Sequence, residues 1–294
     1  MAWLKGVVVR LLAVIVAAAV IVYFLLPIYW LVIASFKSPG LCEYTSLGEQ
    51  TICTNELFAG NPLWLNRINP IQYVNVLSGT MILRWIANSF LISGSSTIIG
   101  VLVSTMAGYA LAQYTFKGRS VLVLLVAAMF MVPVTALAVP QFLFLLGIGW
   151  LGTYQSVIVP CSASVFGVFF MSIYIPGAVS PSVIEAARLD GAGELKIFFT
   201  IVFRLLGSGL ITLCLIIFIG AWNNFLLPSF VLTDMNKYLV TQGVAAYMGG
   251  GVQNRALMYS YFISGSVLSI VPLIAVFVCL ERFVEKGLYL GAWR

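Results

Sequence analysis

Long apolar runs alternate with short polar breaks along the whole of this chain. The runs cover about residues 11–33, 85–112, 121–146, 154–175, 197–221 and 262–280. Each holds roughly the 20 apolar residues that a helix needs to cross a bilayer, so the pattern predicts six transmembrane helices. A cleaved signal peptide has an apolar core of only about 7–15 residues, and the first run therefore reads as a retained helix. Lys5 and Arg10 precede it, with Arg10 placed to snorkel to the interface. Met131-Val132-Pro133 and Pro140 lie inside the third run. Prolines in lipid are tolerated where neighbours satisfy the freed carbonyls, so this run predicts a kinked, bundled helix.

The polar breaks differ in kind. Residues 38–84 carry Glu43, Glu49 and Glu56 among Gly and Pro and read as a loop or small cap, with a short interfacial helix over residues 69–77. Lys117-Gly118-Arg119 is a tight basic turn, and residues 147–153 form an uncharged one. Residues 228–261 make a long, mostly uncharged loop with Gly249-Gly250-Gly251, which lacks the Gly-Lys-Ser/Thr of a phosphate-binding loop and reads as flexible. The break at 176–197 is the most structured. Ser180-Pro181-Ser182 offers an N-cap hydroxyl and a proline at the first helical position, and Asp190-Gly191 supplies a stop. Two short helices with a hinge at Gly191 follow. Glu185, Arg188 and Asp190 form a polar face while Val183, Ile184, Ala186, Ala187 and Leu189 can pack, the build of a docking helix or of an ordinary amphipathic loop helix.

Composition agrees with the pattern. Of 294 residues 62% are hydrophobic and 8% charged, with a mean hydropathy of +1.07. Soluble proteins run near roughly 25% charged, so this is a polytopic membrane protein. Histidine is absent, which removes the commonest general base and metal ligand together. The net charge of +6 does not imply nucleic acid, because the basic residues sit singly beside the membrane segments. With the N-terminus in the cytoplasm, Lys5, Arg10, Lys117, Arg119, Arg188, Lys196, Arg204, Arg282, Lys286 and Arg294 fall inside, and Lys37, Arg67, Arg84, Lys237 and Arg255 outside. That is the positive-inside pattern for six spans with both termini cytoplasmic. The 185–191 loop is then cytoplasmic. Cys42 and Cys53 then share an outside loop where oxidation permits a disulfide, two free thiols being the alternative. Cys161, Cys214 and Cys279 lie in apolar runs and read as small packed hydrophobes.

Candidate chemistry is sparse. Asn88-Ser89 near the start of the second run faces either a pathway or other helices, which Gly94 and Ser95 would let approach. Trp222-Asn223-Asn224 closes the fifth run, and an aromatic beside two amides suits hydroxyl-rich ligands, since amides donate and accept while a ring packs on a sugar's apolar face. The alternative is an interfacial tryptophan with capping asparagines. No Asp, Glu or His sits centrally in any run, as an ion-coupled transporter or channel would need. No metal-ligand cluster or nucleophile–base pair marks a membrane enzyme. No Walker A pattern occurs either, so any nucleotide hydrolysis would have to come from another polypeptide.

Glu185-Ala186-Ala187, followed after three residues by Gly191 and an apolar stretch through Ile201, resembles the EAA loop of bacterial ABC importer permeases. Leu189-Asp190-Gly191-Ala192 looks most like the carbohydrate-importer branch, the permeases similar to the maltose-transport subunit. The first-run ending Leu26-Pro27, Trp30, Ser35-Phe36-Lys37 and the segment Gly220-Ala221-Trp222-Asn223, with Phe225, resemble the same branch in family order. The family pattern has a proline where this chain has Arg204, so the bend at the start of the next membrane helix lacks its usual cause. The resemblance implies an all-α membrane protein with the type I, MetI-like permease fold. It divides the chain into a first helix (1–37), an extracytoplasmic loop (38–84), a core permease domain (85–281) with coupling loop 176–197 and extracytoplasmic loop 222–261, and a cytoplasmic tail (282–294). It implies no enzyme and no cofactor on this chain, with ATP and Mg on partner ATPase subunits. Implied partners are a second permease subunit, two cytoplasmic ATPase subunits, an extracytoplasmic solute-binding protein and membrane lipid, with no nucleic acid, in the cytoplasmic membrane of a prokaryote. Glu185, Ala186, Ala187, Asp190 and Gly191 would couple to the ATPase, and Asn88, Trp222, Asn223 and Asn224 are path candidates. The implied cargo is a sugar or sugar-like solute; glycerol phosphate is the alternative, disfavoured by the lack of a basic cluster.

Overall fold

The structure, a computed structural model, describes residues 2–37, 68–249 and 255–291. Cys42 and Cys53 lie outside the described residues. Two compact units emerge, one of residues 1–82 with 244–269 and one of residues 83–243 with 270–294.

In the first unit, helix α1 (Ala2–Ser35) is apolar all round beyond Arg10 and presents no stripe that demands a protein partner. Its side chains are exposed from Leu11 to Ile28, as suits a helix solvated by lipid. Burial begins only at its end, where Ala34 packs with Ile263 beside Trp30 and Phe262. Helix α2 (Ile71–Gly79) forms where Asn69-Pro70 predicts it: Asn69 Oδ1 accepts from the Ile71 N–H, and Pro70 cannot extend a helix backwards. The hydroxyls of Tyr73 on α2 and Ser35 on α1 are 2.5 Å apart, and the Tyr73 ring lies 5.2 Å from that of Phe36.

The second unit is a bundle. Helix α3 (Ile82–Gln113) lends it most of its length. A hydroxyl row on α3, Ser89, Ser93, Ser96, Ser104 and Thr105, is buried. Within it Ser96 donates to Ile158 O of α6 (Gln155–Ser162), and Ser104 to Ser164 O at the N-cap of α7 (Val165–Ala178); α6 and α7 together make one span broken at Ala163 and Ser164. Approach is close because side chains are missing: a Cβ on Gly108 would stand 2.4 Å from Met171 Cβ. Small residues at such a seam are the usual means of bringing helices together in lipid.

Two spans are bent more sharply than their sequences predict. The third is not one kinked helix but α4 (Arg119–Met129) and α5 (Ala138–Gly147), joined by a 3-10 turn (Val134–Leu137), with a 100° change of direction. Pro133 has no N–H to continue the ladder, its own backbone is extended (ψ 130°), and a proline disfavours helical geometry in the residue before it. The fifth span starts as α9 (Glu194–Ile197), a π-turn (Phe198–Val202) and α10 (Phe203–Leu205), then bends by 86° into α11 (Gly207–Trp222). The bend is therefore present although Arg204 stands in the proline's place. Leu206 makes it in the bridge region (φ −83°, ψ 10°) while its N–H still reaches Val202 O and its carbonyl still accepts from Leu210 N–H. Among the described residues four helices qualify alone, and counting each bent pair as one span gives up to six.

The first part of the loop expected over residues 228–261 is helical: α12 (Leu226–Val231), a 3-10 turn (Met235–Lys237) and α13 (Val240–Ala246). The last helix, α14 (Arg255–Gly291), contains the sixth predicted span. In the 3-10 turn Asp234 accepts from the Asn236 backbone and side-chain amides, which together hold its carboxyl below the ordinary carboxylate value.

Candidate coupling loop and solute cavity

Helix α8 (Pro181–Leu189) starts with Ser180 and Pro181 in the predicted positions, but the Ser180 hydroxyl does not cap it. That hydroxyl pairs instead with Ser182 Oγ at 2.8 Å, leaving the proline alone to fix the start. The stop is as predicted. Gly191 adopts the left-handed conformation (φ +80°), its N–H reaches Arg188 O and the Ala192 N–H reaches Ala187 O, the paired closure of a Schellman motif.

Packing of α8 is narrower than its composition allows. Only Ile184 and Ala187, three residues apart, are buried, joining Val179, Ile197 and Phe198 in the core. Val183, Ala186 and Leu189 do not pack within the chain; Leu189 is 89% exposed. Glu185 and Asp190 are exposed beside them. The helix thus has one anchored edge and one open face that mixes apolar and acidic groups.

A second set of side chains holds the loop in place. Arg188 Nε donates to Glu194 Oε1 at 2.7 Å across the Gly191 turn. Glu194 Oε2 accepts from the Tyr114 hydroxyl at 2.5 Å, just past the end of α3, and the Arg188 guanidinium lies 5.9 Å from the Tyr114 ring centre. The carboxylate raises the Arg188 guanidinium further above its ordinary value. Neither Tyr114 nor Glu194 is among the residues that sequence points to; 80 positions separate them, and the only trace is an acidic residue in a helix's first turn. The pair is exposed, so it is worth at most about 1 kcal/mol, a factor of about five in local opening. Glu194→Gln is expected to raise amide hydrogen exchange over residues 186–192 by up to that factor with the melting temperature unchanged. Unaltered exchange would show that the bridge adds no order.

The four path candidates separate. Asn88 is 7% exposed and wholly used: Nδ2 donates to Asn236 O and Tyr238 O, and Oδ1 accepts from the Tyr154 hydroxyl at 3.0 Å. Ser89 Oγ accepts from the Val240 N–H at 2.8 Å. Trp222 is 2% exposed, stacked 5.7 Å from Phe218 and edge-on to Phe90 at 5.0 Å. Asn223 is exposed and bonds its own helix at Ile219 O. Asn224 alone of the four lines a cavity of about 530 Å³, together with Gln141 of α5 and Cys161, to which Asn224 Nδ2 donates at 3.2 Å. Among the described residues no group of three His, Cys, Asp or Glu side chains is arranged to hold a metal.

Residues 100–288, which include the coupling loop, both bent spans and the cavity, match the family described as the binding-protein-dependent transport system inner membrane component. The chain belongs to this family. It is a permease subunit of an ABC importer, a transport component rather than an enzyme, and a multi-pass membrane protein.

Individual relatives agree. The permease is 35% identical over 207 residues, 70% of its length and 72% of the other's, to the arabinooligosaccharides transport system permease protein AraQ of Halalkalibacterium halodurans. It is 27% identical over 286 residues, 96% of each chain, to the trehalose/maltose transport system permease protein MalG of Thermococcus litoralis. Its fold matches a chain from the crystal structure of a bacterial ABC transporter involved in the import of the acidic polysaccharide alginate, with a TM-score of 0.77 at 18% identity, covering 95% of this chain and 97% of that one. That likeness is one of fold and spans nearly the whole of both chains.

Proposed function

We propose that this permease is one half of a heterodimeric pore that imports a neutral sugar or sugar-like solute. The other half is a second permease subunit. Two cytoplasmic ATPase subunits bind ATP and Mg and supply the work, and an extracytoplasmic binding protein delivers the solute. The assembly sits in the cytoplasmic membrane of a prokaryote with both termini of this chain inside. Sugar cargo is supported by the saccharide transport named for the two relatives above. A neutral cargo is supported by the described lining of the cavity, which contains no charged side chain.

The observation that carries the coupling role is the open face of α8. An apolar side chain as exposed as Leu189, with Val183 exposed nearby on the same short helix, suits a surface built for a protein partner. Ala186 lets that partner approach closely, Glu185 and Asp190 offer it acidic contacts, Ala187 anchors the helix to the core, and Gly191 sets the angle between α8 and the span that follows. ATP-driven closure of the ATPase pair would thus reach the bundle as a push on α8.

The test is a cross-link. Leu189→Cys in the assembled transporter is expected to form an adduct with an ATPase chain when a short bifunctional thiol reagent enters from the cytoplasmic side. Labelling of the same cysteine by an impermeant reagent from outside, or an adduct with no ATPase, would overturn the assignment.

A further inference from the structure

The cavity of about 530 Å³ lies where two broken spans meet. Phe130, Val132 and Val134 bring the α4–α5 break to it, and Ala163 and Ser164 bring the α6–α7 break. Irregular backbone at membrane depth is tolerated only inside protein or beside a water-filled space, so two breaks that open on one void mark a wetted path rather than a crevice for lipid. Its volume is within the range of small-ligand sites, about 300–1,000 Å³.

Gln141 supplies a second, independent observation. It lies on α5, half-buried in the lining, and no described residue bonds either end of its amide. Half-exposed in an apolar lining, the two donors and the acceptor of this amide are placed for water or a ligand. Asn224 adds Oδ1, its Nδ2 being engaged by Cys161. Phe166 adds a ring that stacks on Phe170 at 5.7 Å, and Phe170 stacks on Tyr174 at 5.5 Å, so an aromatic strip leaves the cavity along α7.

We infer that this cavity is a saccharide-binding subsite carried by this chain itself. Gln141 bonds solute hydroxyls through both ends of its amide, Asn224 Oδ1 accepts one more, and Phe166 packs on the C–H face of a sugar ring. The aromatic strip offers the next contact as the solute leaves. The inference rests on the sugar-import reading above and adds to it the residues that recognise the cargo.

Native Cys161 reports occupancy directly, because it lines the cavity, whereas Cys214 does not and serves as the reference. The assembled transporter is treated with methyl methanethiosulfonate, and modification of each cysteine is followed by mass spectrometry. Millimolar maltose, trehalose, arabino-oligosaccharides or glycerol 3-phosphate is added in turn. At least one saccharide is expected to slow Cys161 modification fivefold or more with Cys214 unaffected, and glycerol 3-phosphate is expected to do nothing. Gln141→Leu is expected to raise the saccharide concentration for half-protection at least tenfold. Protection by no saccharide, protection by glycerol 3-phosphate instead, or a half-protection concentration unmoved in the variant would each overturn the subsite. ATP hydrolysis stimulated by saccharide-loaded binding protein, measured on the same preparation, separates the two readings. Stimulation without protection removes the subsite and leaves sugar import standing; no stimulation by any of these saccharides removes both.

Discussion

Gly191→Val is expected to cut severalfold the stimulation of ATP hydrolysis by loaded binding protein, with membrane insertion of the permease intact. The position has open space around it, so the effect does not arise from a clash. It arises from the backbone: at φ +80° an L side chain costs about 1–2 kcal/mol, and a β-branched one is a genuine outlier. If the chain relaxes to a comfortable φ, the Gly191–Arg188 and Ala192–Ala187 bonds go with it, at about 1 kcal/mol each. The strain shifts the balance from the docked turn toward the relaxed one by about 1–2 kcal/mol, a factor of roughly 5–30. Gly191→Asn, which tolerates the left-handed region, is expected to keep most of the coupling. Valine and wild type hydrolysing ATP alike would show that the turn does not set the coupling angle.

Asn88→Leu is expected to destabilise the bundle strongly. The replacement has similar volume but strips partners from two carbonyls and from the Tyr154 hydroxyl at a buried place. Each group left unsatisfied costs about 1–3 kcal/mol, so a loss on the order of 5 kcal/mol follows, and roughly 10 °C or more in melting temperature. Folded yield in detergent, read by size exclusion after graded heating, measures it. A variant of normal stability with an altered solute preference would instead return Asn88 to the path.

The spans were legible in the sequence because the bilayer allows few solutions: an apolar run of sufficient length without partners for its backbone must be a helix. The Gly191 turn was legible for a similar reason, since Asp-Gly after a periodic stretch leaves little choice. What escaped depends on neighbours distant in sequence. Pro133 announces a kink, but whether a kink opens to 100° is decided by what packs around it. The bend at Leu206 has no proline at all. Trp222 reads as a ligand platform or as a belt residue until Phe90 and Phe218 are found against it. Ser180 looks like a cap because its local pattern is right, yet Ser182 takes its hydroxyl. Gln141 left one trace, as an amide beside Pro140 in an otherwise apolar run, and it gains meaning only once two helix breaks converge on it.

The seam of α3 against α6 and α7 has a thermodynamic corollary. Hydrocarbon tails are as greasy as the leucines they would replace, so prising these helices apart within the bilayer wets little new surface. The heat-capacity increment and denaturant sensitivity that accompany the melting of a water-soluble core scale with newly hydrated area. Both quantities would therefore be small for this contact, and lateral pressure from the lipid, rather than urea, is the variable that governs it.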